Sequence, residues 1–317
     1  MLSQDKPYGV VSASTDCVSL RVLHDISAQM LCDGLGLSKR IQRRVFAEGM
    51  LARAQDGEAL VGQSPLHAGE DVALRLQETR ASGPLSEEPV ELLWHDRFAL
   101  AANKPVGLLV HGDGTGADTL MARVQAEVAR AAVERGWSFV PVVQPLNRLD
   151  VDTSGIVLFS QTEEFQPAFD ALIAIHAPAL IRKRYLAVVE GAFPKSIVTM
   201  TYPIARDRHD ARRMRVGSTG KSATTLARCL ERKGNRSLVA CELRSGRRHQ
   251  IRVHLAREGY PIVGDVFYGC VAPDGLMLHA YELRFLHPIT EELVVVRTPW
   301  PERFESFFPP RDVDWPA

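Results

Sequence analysis

The strongest constraint on the fold is a series of short apolar runs, rich in β-branched and aromatic residues, spread over residues 90–299. They are Val90–Trp94, Phe98–Ala102, Ile156–Ser160, Tyr185–Glu190, Thr224–Glu231, Ser237–Leu243 and Leu293–Arg297. Each is five to eight residues long, the length of a strand and too short for a helix. Lys233-Gly234-Asn235 lies between two of them and reads as a hairpin turn, because Gly and Asn tolerate positive φ. Two stretches carry helical spacing: Thr119–Arg135, with Asp118 as its cap, and Arg247–Glu258, opened by Ser245 and stopped by Gly259. The pattern predicts an α+β fold with a mostly antiparallel mixed sheet and flanking helices. No internal repeat is visible.

The residues before this region predict a separate small α+β module over 1–77. A helical pattern (Leu31, Leu35, Leu37, Ile41, Val45, Phe46) ends at Gly49, and Val72, Leu74 and Leu76 alternate as a strand. Residues 78–89, ETRASGPLSEEP, read as a linker, and 300–317 as an acidic, aromatic tail without an assigned role. Two domains suit a length of 317 residues.

Several function classes lack their usual parts. There is no phosphate-binding G-x-x-x-x-G-K-[ST], no G-x-G-x-x-G opening a helix, no G-x-S-x-G and no H-E-x-x-H. The cluster His111-Gly112-Asp113-Gly114-Thr115-Gly116 reads as a flexible loop. Five scattered cysteines suggest neither disulfides nor zinc, and His249 and His254, five apart, fall on different helix faces. No long apolar window and no signal-peptide layout occur, so the expectation is a cytoplasmic protein away from membranes.

Charge is informative by position. The 38 Lys/Arg and 38 Asp/Glu cancel, which taken whole lacks the excess of a nucleic-acid binder. Yet Arg206–Arg257 holds fifteen basic against four acidic residues, while 258–317 holds four against ten. Exposed charges are screened beyond about 8–10 Å, so the basic stretch can attract a polyanion locally. This predicts a basic functional face and an acidic back.

Two constellations could carry chemistry. Pro145-Leu-Asn-Arg-Leu-Asp-Val-Asp-Thr-Ser-Gly155 is a polar turn at the mouth of a strand, presenting Asp150 and Asp152. Either carboxylate could instead make an Asx turn, and two so close could suggest a glycosidase pair. In Arg244–Gly259, a helix from near Gly246 would put Arg248 and Arg252 at i,i+4 on one face, with Ile251 and Leu255 buried. A partly packed guanidinium suits a buried carboxylate or a phosphate. Tyr185, at the start of a strand, reads by itself as core.

Taken together, six segments in order closely resemble the pseudouridine synthases of the RluA type. They are Asn103–His111, Asn147–Gly155, Lys183–Ala187, Ser245–Ala256, Pro261–Asp265 with Tyr268-Gly269, and Leu278–Ala280 with His287-Pro288. The resemblance implies isomerisation of uridine to pseudouridine in RNA, with no metal or organic cofactor and with Asp150 as the catalytic carboxylate. It implies that Arg252 pairs with this aspartate and that Tyr185 stacks on the uracil. Arg148 would help hold the target nucleotide out of its helix, and Leu278 would wall the base. Arg248, His249 and Gln250, in the same matched stretch as Arg252, are expected to meet substrate. Asn147 stands where the family commonly has His, and Arg248 where Thr is frequent.

The first module resembles, in worn form, the small S-four-like RNA-binding module, with Leu37–Gly49 as its basic helix and Leu66–Leu76 as its last strand. Lys39, Arg40, Arg43 and Arg44 would then meet phosphates. The implied partner is RNA, ribosomal more than transfer RNA, with a monomer and no obligate protein partner expected. The competing reading is an RNA-binding or RNA-folding protein that keeps the fold without the chemistry.

Overall fold

The structure is a computed structural model; it describes residues 6–14, 16–77, 86–112, 118–135, 140–269, 271–313 and 315. Most of the glycine cluster after His111, most of the expected linker and Cys270 lie outside these residues.

The first unit runs β1 (Tyr8–Ala13), β2 (Cys17–Val22), β3 (Ile26–Ser27), α1 (Ala28–Gly34), α2 (Lys39–Ala47), β4 (Leu51–Arg53), β5 (Pro65–Leu66) and β6 (Asp71–Arg75). Its antiparallel sheet has the order β1-β2-β6-β4. Val72, Leu74 and Leu76 point inward as their alternation requires. The expected single helical pattern is two helices, because Gly36 takes φ +74° and Ser38 restarts the chain by capping Ile41 N at 3.3 Å. Strands β1 and β2 escaped the sequence reading: much of β1 is solvent-facing, so its apolar signal is weak.

The second unit contains β7 (Leu92–His95), β8 (Ala99–Lys104), α3 (Leu120–Glu134), β9 (Gln144–Pro145), β10 (Ser154–Ser160), α4 (Gln166–Ile175), β11 (Ile181–Glu190) and β12 (Val198–Met200). It continues with β13 (Ile204–Arg206), β14 (Met214–Val216), β15 (Thr225–Lys233), β16 (Arg236–Leu243), α5 (Gln250–Arg257), β17 (Leu278–Leu286), β18 (Leu293–Arg297) and α6 (Glu302–Glu305). The large sheet is ordered β12-β15-β16-β11-β17-β10-β8-β7, with β9 on β10 and β18 on β17. All pairings are antiparallel except β10 with β17. The fold is therefore α+β with a mostly antiparallel mixed sheet, and all seven apolar runs are strands.

Strand β17 went unread although it sits mid-sheet, because Glu282 and Arg284 interrupt its apolar run. Glu282 is buried between Arg184 of β11 and Arg297 of β18, each 2.5 Å away. Arg184 also reaches Glu242 of β16 at 2.9 Å, so one ladder of alternating charge crosses four strands. Of the acidic residues in 258–317, Glu282 and Asp265 are buried against arginine, while Asp274, Glu291, Glu292, Glu302, Glu305 and Asp312 are exposed.

Helix boundaries moved for identifiable reasons. Thr119, not Asp118, caps α3 by accepting from Ala122 N at 3.2 Å, while Asp118 pairs with Arg123. Helix α5 starts at Gln250, not near Gly246, because His249 takes φ 55°; Arg248 and Arg252 are consequently not helical neighbours. Ser245 does set the entry, but through Gln250, whose Oε1 accepts from Ser245 Oγ and Arg247 N. Helix α4 was not foreseen.

One buried cluster runs from Val18, Leu31 and Val45 of the first unit to Phe165, Phe169 and Phe285 of the second. The tail packs back, with Phe304 and Phe308 fully buried.

Strands β10 and β17 pair only at Ser154↔His279 and Gly155↔Ala280, then diverge, and the loop preceding β10 carries Asp150. Gly155 has φ +110°, and a Cβ there would lie 2.2 Å from Ala280 O. Gly155→Ala therefore meets both backbone strain and a collision with backbone, together about 3 kcal/mol or more. The expected outcome is a clearly lower urea midpoint; an unchanged midpoint would contradict this packing.

Candidate active site

Asp150 Oδ2 receives a hydrogen bond from Arg252 Nη1 at 3.1 Å. Arg252 is 2 % exposed, and its other edge forms a bidentate pair with Asp265, Nε to Oδ2 and Nη2 to Oδ1, both 2.8 Å. Burial opposes the Arg252 charge, but Asp265 and Asp150 more than offset it and raise the pKa above that of ordinary arginine. The two carboxylates differ in access. Asp265 is fully buried and also accepts from Phe267 N and Tyr268 N, whereas the Asp150 side chain is 27 % exposed. Among the described residues no hydrogen bond or ion pair reaches Asp150 Oδ1. Oδ2 is the tethered oxygen.

The loop around Asp150 is held from several sides. Buried Lys104 donates to Val151 O at 2.8 Å, Gly107 N donates to the same carbonyl, and Thr153 N donates to Asp150 O. Burial pulls the Lys104 ammonium down to about 8, a shift that Asp152 opposes. Asn147 Oδ1 accepts from Leu158 N at 2.8 Å, fastening the loop to β10, so this departure from the resembled pattern has a structural use. Arg303, from the tail, donates to Ser154 Oγ at 2.8 Å and Leu278 O at 2.6 Å.

A cavity of about 410 Å³ opens on Asp150, within the range of small-ligand pockets. Tyr185 and Leu278 supply apolar wall, and Arg148 and Arg248 are exposed on its lining. Tyr185 lies well inside β11, opposite Ala280, and is 9 % exposed. Burial and the Asp150 charge push its phenol far above the usual tyrosine range, so it stays protonated. Arg248 donates to Ala211 O and Arg212 O at 3.3 and 3.0 Å. His249 Nε2 is 3.7 Å from Asp150 Oδ2.

Gln250 also belongs to the cavity lining, whereas Lys39, Arg40, Arg43 and Arg44 do not. Gln250 is buried, and its amide is consumed internally, with Nε2 donating to Thr224 O and Thr225 Oγ1 at 3.0 Å. In α2, Arg44 bonds Glu163 and Glu164 at 2.9 Å, and Arg40 also pairs with Glu163. Arg44 is drawn in between the units, while Arg40, though paired with Glu163, stays exposed, as do Lys39, which pairs with Asp33, and Arg43. His254 bonds Tyr202 O and Thr225 Oγ1, and no group of potential metal ligands occurs among the described residues. Asp265 and Lys104 were present in the matched segments, but nothing in their spacing revealed their roles.

Residues 99–257 match the family described as RNA pseudouridylate synthase. The chain is 32% identical over 249 residues to the uncharacterized RNA pseudouridine synthase YhcT of Bacillus subtilis, covering 77% of this chain and 80% of that protein. It is 34% identical over 277 residues to ribosomal large subunit pseudouridine synthase D of Xylella fastidiosa, covering 81% and 78%. Among solved structures, human RNA pseudouridylate synthase domain containing 1 matches with a TM-score of 0.55 and 28% identity over 69% of this chain and 87% of that one. With the matched segment spanning the Asp150 loop, Tyr185 and Arg252, the chain belongs to the RNA pseudouridylate synthase family.

Proposed function

We propose that this pseudouridine synthase acts on ribosomal RNA with Asp150 as its catalytic carboxylate. The observation that carries the proposal is the Asp150 side chain itself: Oδ2 is tied to buried Arg252, and the residue lines a cavity of about 410 Å³. In the isomerisation the bond from ribose carbon 1′ to uracil N1 breaks, and a bond from carbon 1′ to carbon 5 forms. The proton on carbon 5 leaves and N1 ends protonated, so no electrons are gained or lost overall. A carboxylate can start this by attack at carbon 1′ or by taking the 2′ proton, and both routes need an ionised oxygen beside the ribose. Arg252 orients the carboxylate through a charge-assisted hydrogen bond to Oδ2.

The detached uracil must turn without escaping. Tyr185 and Leu278 provide the apolar faces for it, and the protonated Tyr185 offers its ring and a hydroxyl donor. Arg148 and Arg248 lie where phosphates of an extruded nucleotide would pass, and extrusion costs a few kcal/mol that such contacts can offset. The ribosomal assignment is supported by the name of the Xylella relative and by the basic stretch 206–257.

Asp150→Asn keeps the shape of the loop and removes the charge. Pseudouridine formation in a large-subunit ribosomal RNA transcript should drop by about 10³-fold or more, with RNA affinity within roughly threefold of wild type. Near-normal turnover would refute Asp150 as catalyst. If about four cationic side chains meet phosphates, affinity for the same transcript should fall on the order of 50-fold between 50 and 200 mM salt. A flat salt response, read by filter binding, would remove the phosphate path from the proposal.

A further inference from the structure

His249 has three features that its place in the cavity does not explain. It holds φ 55°, a conformation that a non-glycine residue adopts at a cost. Its ring is stacked at 20° on Phe267, with centroids 5.8 Å apart, so it is oriented by packing. And its two nitrogens face different partners: Nδ1 lies 2.8 Å from Tyr268 Oη, while Nε2 lies 3.7 Å from Asp150 Oδ2.

The hydrogen-bond inventory orders this chain of groups. Tyr268 Oη accepts from the backbone N–H of Met214 at 2.6 Å, which leaves the phenolic hydrogen free to donate to His249 Nδ1. A neutral imidazole that accepts at Nδ1 carries its hydrogen on Nε2, the nitrogen facing the Asp150 carboxylate. Both ends of the ring therefore favour the same tautomer. Met214 belongs to the β13–β14 hairpin, which carries Arg206, Arg208, Arg212, Arg213 and Arg215. Arg213 lies over the Tyr268 ring at 5.4 Å, and Arg212 over the Phe267 ring at 5.7 Å.

We propose that Tyr268 and His249 are positioning residues that link the arginine-rich hairpin to the catalytic carboxylate: Tyr268, anchored by Met214, holds His249 with its Nε2–H toward Asp150. With Arg252 bonded to Oδ2 and His249 facing the same oxygen at 3.7 Å, the rotation of the carboxylate is restricted and Oδ1 is the oxygen presented to the ribose. The proposal rests on Asp150 being the catalyst, and it assigns to His249 a partner other than RNA.

The test combines a spectroscopic and a kinetic arm on the full chain. In protein labelled with ¹⁵N-histidine, and with the His249 signals assigned by their loss in His249→Gln, the ring should be the Nε2-protonated tautomer. Tyr268→Phe, which keeps the ring and removes the hydroxyl, should shift the balance toward Nδ1 protonation. This arm needs no reaction, so it stands whether or not Asp150 proves to be the catalyst. A ring protonated on Nδ1 in the wild type, or unaltered by Tyr268→Phe, overturns the link.

In single-turnover assays on a large-subunit ribosomal RNA transcript, Tyr268→Phe should slow pseudouridine formation about tenfold with RNA affinity unchanged. In the His249→Gln background it should add almost nothing, since neighbours acting as a unit are non-additive. Equal losses in both backgrounds would mean that Tyr268 acts independently of His249, and the proposal would fall. Full activity of Asp150→Asn would instead strike the catalytic reading alone.

Discussion

A buried guanidinium shared by two carboxylates organises this molecule. Arg252 cannot be left unpaired at 2 % exposure, and removing one partner of such a pair costs about 3–5 kcal/mol. Asp265 meets most of that demand with two parallel hydrogen bonds, and its turn is set by Gly264, where a Cβ would lie 1.8 Å from Gly275 O. Because Asp265 fixes the guanidinium, the remaining Nη1–H has a defined direction, and Asp150 sits at its end. The Asp150 carboxylate is thus positioned by a charge that is itself immobilised from behind. This separates the burden of pairing, carried by buried Asp265, from access to the cavity, kept by the partly exposed Asp150.

The same device is used on the sheet for a different purpose. Glu242 and Glu282 are buried on adjacent sides of Arg184, and Trp315 lies over that guanidinium at 5.0 Å. Buried ion pairs add little net stability compared with apolar packing, but they penalise a wrong register heavily. A ladder across β18, β17, β11 and β16 is satisfied in one alignment only. Tyr185 and Leu278 come from two of those strands, so the register of the charge ladder also sets which residues line the cavity beside Asp150.

The sequence revealed the parts governed by short-range rules. The seven apolar runs, the turn at Gly234 and the inward alternation of Val72 and Leu74 follow from side-chain period and backbone preference. The pairing of Asp150 with Arg252, 102 residues apart, came from resemblance and not from spacing, and the structure brings the two together. What stayed hidden depended on long-range satisfaction of polar groups. Strand β17 looked broken because Glu282 finds its arginines only across the sheet. Gln250 looked available because Thr224 and Thr225, which take up its amide, lie 26 and 25 residues away. Arg44 looked like a phosphate ligand because Glu163 and Glu164 lie about 120 residues away.

Arg303 gives the site a timetable. Its bonds to Ser154 Oγ and Leu278 O secure the Asp150 loop and the start of β17, yet it follows Ser154 by 149 residues. At about 5–20 residues per second, a ribosome delivers it roughly 7–30 s later. A nascent chain can therefore pair β8 with β10 early while its carboxylate loop still lacks one of its fastenings. The enzyme is completed from its far end, so competence for chemistry arrives after most of the sheet has been made.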